Sequence, residues 1–66
     1  MTGEELKAYR QKAKYTQQQL GEALGYKGRS AEGMVQMWEH DRRPIGMKNI
    51  RKLAEILNVP IEKFIP

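Results

Sequence analysis

The sequence predicts an all-α protein, a compact bundle of five short helices. Three observations predict it. Apolar residues recur at three- and four-residue spacing nearly throughout, and no segment alternates apolar and polar residues long enough to argue for a strand. Two Thr-x-x-Glu/Gln boxes stand at the heads of two such segments, where each marks a helix start. At 66 residues the chain suffices for one small domain, 1–66. Such a domain buries only about 60% of the surface its unfolded chain exposes, so most apolar residues must join one core.

The first helix opens in "TGEELKAYRQKA". Thr2 can accept from the backbone N–H of Glu5, and Glu5 can reach back. Leu6, Tyr9 and Ala13 then form one face, with Arg10 beside it. "YTQQQLGEALGY" repeats the device with Thr16 and Gln19, and Tyr15 stands at the staple position before it. Leu20, Ala23 and Leu24 form the inner face of this second helix, and Gly25 reads as its C-terminal cap.

The central stretch "KGRSAEGMVQMWE", residues 27–39, is the least ordinary. On a helix turning about 100° per residue, Ala31, Val35 and Trp38 share one face. Ser30, Gly33, Gln36 and Met37 lie opposite, and Arg29 joins them if the helix starts early. Gly33 costs an exposed helix about 1 kcal/mol relative to alanine. Two readings fit it. The bare backbone lets the helix approach a groove closely, or the helix begins near Gly33 and residues 27–32 are a loop.

A proline-marked turn, "DRRP", leads to the fourth helix. Ile50, Leu53, Ala54 and Leu57 face inward there, and Asn58 is its cap. Pro60 starts a short fifth helix, "PIEKFI", in which Val59, Ile61 and Phe64 close the core. Ile65 and Pro66 follow as an end too apolar for a free tail.

The formal net charge is +4, and its distribution is uneven. Residues 27–52 hold seven Lys/Arg against three acids, which accounts for the whole excess. A basic middle points to an anionic partner on one face, nucleic acid before membrane, against the plainer reading of a solubilising surface. There is no cysteine, hence no disulfide or thiolate metal site, and one histidine, His40, is too few for a structural zinc. No metal and no cofactor is expected. His40 has no nucleophile or carboxylate in a recognisable arrangement around it, which argues against an enzyme. No apolar run is long enough to span a membrane, and the N-terminus lacks the order of a signal peptide. A soluble cytoplasmic protein is expected, associated with the nucleoid if it binds DNA.

"LKAYRQKAKYTQQQLGEALGY", "VQMWEHDRRP" and "IRKLAEILNV", in that order, resemble the Cro/repressor (Xre-like) helix-turn-helix family of phage and bacterial regulators. The shared elements are an arginine late in the first helix, T-Q-x-x-L opening the second and L-G-Y closing it. V-x-x-W-E then ends the third, followed by R-R-P and the L-A-x-x-L of the fourth. The resemblance runs from Leu6 to Phe64, and it implies a lambda-repressor-like fold whose third helix lies in the major groove. One departure stands out. "KGRS" is extra, so either the turn is longer or the third helix gains a turn at its start.

The resemblance implies roles for residues. Arg29, Ser30, Glu32, Gly33, Gln36 and Met37 are candidate base contacts, Gln36 suiting adenine N6/N7 and Met37 a thymine methyl. Gln17, Lys27, Arg42, Arg43 and Lys48 are candidate backbone contacts, which fix register without reading sequence, and in similar proteins a glutamine at the Gln17 position also braces the recognition helix. Lys48 is otherwise poorly placed, since the start of a helix disfavours a cation. Arg10 and Glu39 are expected to form a structural ion pair tying the first helix to the end of the third. Ile61, Phe64 and Ile65 are candidate dimer residues. The partner the resemblance implies is double-stranded DNA, bound by a weak homodimer formed or stabilised on it. The function implied is a sequence-specific regulator, a repressor by expectation. The competing reading is an antitoxin-like protein-binding module with Met37 and Met34 at the contact. An RNA binder would need exposed stacking aromatics, which the pattern does not supply.

Overall fold

In the computed structural model, residues 1–65 are described; Pro66 lies outside the described residues. Four α-helices follow one another: α1 (Gly3–Lys12), α2 (Gln17–Ala23), α3 (Gly28–Glu39) and α4 (Met47–Leu57). A single 3₁₀ turn, Ile61–Lys63, completes the fold. This corrects the expectation of five helices. After Pro60 the amides of Lys63, Phe64 and Ile65 each bond the carbonyl three residues back, at 3.0, 3.0 and 3.3 Å. A tight turn of this kind suits short pieces, where an α-helical nucleus would fix several residues for one bond. It suffices to seat Phe64 in the core.

Both capping boxes form. Thr2 Oγ1 accepts the Glu5 amide at 3.2 Å and Glu5 Oε1 accepts the Thr2 amide at 2.9 Å. Thr16 and Gln19 repeat this at 3.0 Å in both directions. The helix ends share a second device. After each α-helix comes a residue with positive φ: Lys14 (64°), Gly25 (103°), Asp41 (55°) and Asn58 (55°). The next amide then reaches five residues back, as in Tyr26 to Gly21 at 3.1 Å and Arg42 to Met37 at 2.9 Å. This is the Schellman arrangement, which satisfies carbonyls the helix leaves over. Gly25 is therefore the left-handed residue after the cap, and Leu24 is the cap itself.

The core gathers Leu6, Leu20, Leu24, Val35, Trp38, Leu53 and their neighbours from all four helices, with Val59 and Phe64 closing one end. Inner faces follow the sequence reading except on α2. Ala23 is exposed, and Gly21 takes its place inward. A Cβ on Gly21 would lie 2.3 Å from the Ala31 carbonyl oxygen, so α2 and α3 cross backbone to backbone there. Ala31 is fully buried at that crossing. Residues 28–32 are thus helical, and α3 begins at Gly28. Gly28 enters the helix with φ +56°, a conformation glycine adopts without steric cost.

α4 holds the α2–α3 turn in place. Asn49 Nδ2 donates to the Tyr26 hydroxyl at 3.0 Å, and Lys52 Nζ donates to the Leu24 carbonyl at 3.3 Å. The Tyr26 ring meets Trp38 edge-on, with centroids 6.5 Å apart. No helix among the described residues is long and apolar enough to cross a membrane.

Candidate nucleic-acid interface

α3 separates its residues by chemistry. Ala31, Val35 and Trp38 are buried, as is Glu39, and each faces protein. Gln36 and Met37 are exposed, Met37 at 43%. Nothing stands within 4 Å of where a Cβ on Gly33 would be, so the helix backbone is open to a ligand there. Gly33, Gln36, Met37, His40 and Arg42 together line one shallow depression. From sequence, His40 is considered only as a metal ligand and as a catalytic residue. It follows Gln36 and Met37 at helical spacing, and that signal places it on their face.

The other candidate base readers sit apart from this depression. Arg29 and Ser30 are exposed in the first turn of α3. Helical geometry puts them on the outward side, while Glu32 falls about 100° away, on the flank. Met34 is half-buried and packs against the core, so it offers less surface than Met37.

Of the candidate backbone contacts, Lys27 is the N-cap residue of α3 and makes no side-chain cap hydrogen bond. Arg42 and Arg43 are exposed in the loop after α3. Lys48 is exposed in the first turn of α4, whose N-cap, Gly46, has no side chain to cap with. Neither α3 nor α4 has an acid in its first turn. Both helix starts therefore present amides and positive charge together, the combination that receives an anion. No group of three or more His, Cys, Asp or Glu suited to a metal ion occurs among the described residues.

Beneath the outward face runs a polar chain. The Arg10 guanidinium grips Glu39 through Nε at 2.5 Å and Nη2 at 3.3 Å, and its Nη1 donates to the Tyr15 carbonyl at 2.9 Å. The side chains are 9% and 3% exposed, so this is a buried ion pair with its hydrogen bonds made. Gln17 Nε2 donates to Glu39 Oε1 at 3.0 Å, and Gln36 Nε2 donates to Gln17 Oε1 at 3.2 Å. Four residues from three helices are thereby linked from core to surface. The resemblance implies a Gln17 that braces the third helix, but it does not name Gln36 as the residue it meets. Their bond joins positions 19 apart, on different helices, which no local spacing reveals.

Near the C-terminal end, Phe64 is only 7% exposed. It is a core residue, which removes it from the candidate dimer surface. Ile61 is half-buried and Ile65 is 45% exposed.

The comparison with known families agrees with this geometry. A family model described as helix-turn-helix matches residues 6–64, from the inner face of α1 through the final 3₁₀ turn. No curated protein and no solved structure gives a match. Families of this kind are typically non-enzymatic. With most of its length matched, the chain belongs to the Cro/C1-type, Xre-like helix-turn-helix family, whose domains bind DNA in transcriptional regulation.

Proposed function

We propose that this protein is a sequence-specific transcription repressor that lays α3 in the DNA major groove and binds as a dimer on an inverted repeat. The observation that carries the reading is the outward face of α3. Gly33 is open there, Gln36 and Met37 are exposed beside it, and no bulky aliphatic chain other than Met37 intrudes. Gln36 and Met37 read bases, with Arg29 and Ser30 extending the contact through the first turn of α3 and Glu32 at its flank. Gln17, Lys27, Arg42, Arg43 and Lys48 hold phosphates. The single domain spans 1–66.

One helix reads only a few base pairs, so specific binding draws on two half-sites about 34–36 Å apart. Ile61 and Ile65 supply the apolar contact between two copies. Such a contact is small, and the dimer is weak until DNA brings the copies together.

The test is selection from a random duplex library at about 150 mM salt, where non-specific binding is already weakened. An enriched inverted repeat is expected. A single enriched half-site would remove the dimer and keep the reader. Enrichment of nothing, with only salt-labile binding, would remove both. Arg43→Ala should weaken all sequences alike and lower the slope of log affinity against log salt by about 0.9, as for one phosphate contact. A second reading, an antitoxin-like module, is favoured by one observation, the 43% exposure of Met37. A partner protein that copurifies and covers Met37, with no enriched duplex, would establish it instead.

A further inference from the structure

We propose that the buried Arg10–Glu39 pair sets the polarity of the Gln36 amide through Gln17, and thereby biases one operator position toward adenine and against guanine. This rests on Gln36 reading a base, as above.

A glutamine amide has two ends of similar shape, a carbonyl that only accepts and an NH₂ that only donates. A glutamine free to turn over can offer either end to a base. Gln36 is not free. Both Glu39 carboxylate oxygens accept from the Arg10 guanidinium, and a carboxylate paired in this way only accepts. The end of Gln17 that meets Glu39 Oε1 must therefore be its NH₂. That turns the Gln17 carbonyl toward Gln36, so the end of Gln36 that meets it must be NH₂ as well. The order is dictated by the charge at the buried end. It does not depend on which amide atom resembles which.

The consequence falls on the groove. One Gln36 N–H is engaged with Gln17, which leaves its Oε1 and one N–H for DNA. One acceptor and one donor match the N6 amino group and N7 of adenine. Guanine presents two acceptors, O6 and N7, and would need both N–H groups, one of which is already engaged. Gln17 keeps its own second N–H, so a phosphate contact there remains compatible with the chain.

The experiment measures binding to operator duplexes carrying each base at every position, for the full protein and for Gln36→Ala, Gln17→Met and both together. Gln36→Ala should flatten one position. Gln17→Met removes both links and should lower the adenine-over-guanine ratio at that same position by about threefold to tenfold, the worth of one net hydrogen bond. The double variant should be no flatter there than Gln36→Ala. If Gln17→Met weakens every duplex alike and leaves that base order intact, the relay is overturned while base reading by Gln36 stands. If Gln36→Ala flattens no position, the reading beneath it falls instead. A measurement on the unaltered, DNA-free protein guards against a variant that fails to fold. The two Gln36 side-chain amide protons should differ in exchange rate, one being slowed by its bond to Gln17. Two equally fast protons would overturn the proposal.

Discussion

α3 turns Ala31, Val35 and Trp38 to the core and Gly33, Gln36 and Met37 to solvent, and the two faces meet glycine in opposite ways. On the inward side, Gly21 of α2 exists to let another backbone in, since a Cβ there would sit 2.3 Å from a carbonyl oxygen. On the outward side, nothing within 4 Å opposes a Cβ at Gly33. The inward half of the molecule completes its own hydrogen bonds. α1 and α2 begin in reciprocal capping boxes, and among the described residues no buried side-chain polar atom lacks a partner. The outward half does not: α3 and α4 begin without a side-chain cap, among lysines and arginines. Internal stability accounts for the first half. The second is left to water or to a ligand from outside.

The largest effect expected lies at the base of the inward side. Arg10→Met strands the Glu39 carboxylate, whose side chain is 3% exposed, and should cost about 3–5 kcal/mol in urea unfolding. Arg10→Met with Glu39→Met should cost less than Arg10→Met alone, because no charge is then left buried. A single variant as stable as the parent would mean the pair does not tie α1 to α3. Gly21→Ala comes next. Its clash is with backbone and cannot be relieved by a side-chain rotation, so α2 and α3 must part, at about 1–3 kcal/mol or more. A crystal structure of that variant with an unchanged α2–α3 crossing would break the comparison at its inward end.

Gly33→Ala tests the outward end and has the opposite sign. The free protein should gain about 1 kcal/mol, since alanine suits an exposed helix interior better than glycine. DNA binding should weaken, because the methyl occupies the space a groove would fill. Stability and affinity moving in opposite directions is the outcome that separates this glycine from Gly21. Affinity unchanged, with stability raised, would show that the open backbone at Gly33 is not used by the ligand.

Much of the inward half was legible in the sequence because it is local. Thr2 with Glu5, Thr16 with Gln19, and the apolar faces of α1, α3 and α4 are written at three- and four-residue spacing. What was not legible is tertiary. Gly21 and Gly33 look alike in a string, and only the crossing of α2 on α3 tells them apart. Ala23 looked inward by spacing, but a seven-residue helix has room for few inner positions, and Gly21 displaced it. Phe64 reads from sequence both as a core residue and as a dimer residue, and after the 3₁₀ turn only the first role remains, since the residue is buried. The bond from Gln17 to Gln36 is invisible for the same reason, since each residue's local surroundings describe an exposed helix position.

The smallest effect separates the two capping boxes of the inward half. The box on α2 uses Gln19, which does not titrate, and the box on α1 uses Glu5, which does. Accepting the Thr2 amide, and then the Thr2 hydroxyl interaction, holds the Glu5 carboxyl below the ordinary value of 4.5. A carboxyl lowered in the folded state adds stability above its unfolded value, and that contribution is lost as pH falls through the lowered one. The start of α1 should therefore loosen in acid while the start of α2 stays closed. Amide exchange of Thr2, which donates to the Glu5 carboxylate, against that of Thr16, which donates to the Gln19 amide, followed downward from pH 5, reads this directly. Thr2→Pro, which removes the donating N–H at a φ of −85° close to what proline adopts, should return the Glu5 titration toward the ordinary range. Because Glu5 lies in open solvent, the shift should also shrink in high salt, to the extent that charges rather than the hydrogen bond sustain it. A shift that survives both Thr2→Pro and salt would place its cause outside the box, and would mean that α1 is held at its start by something other than its own first turn.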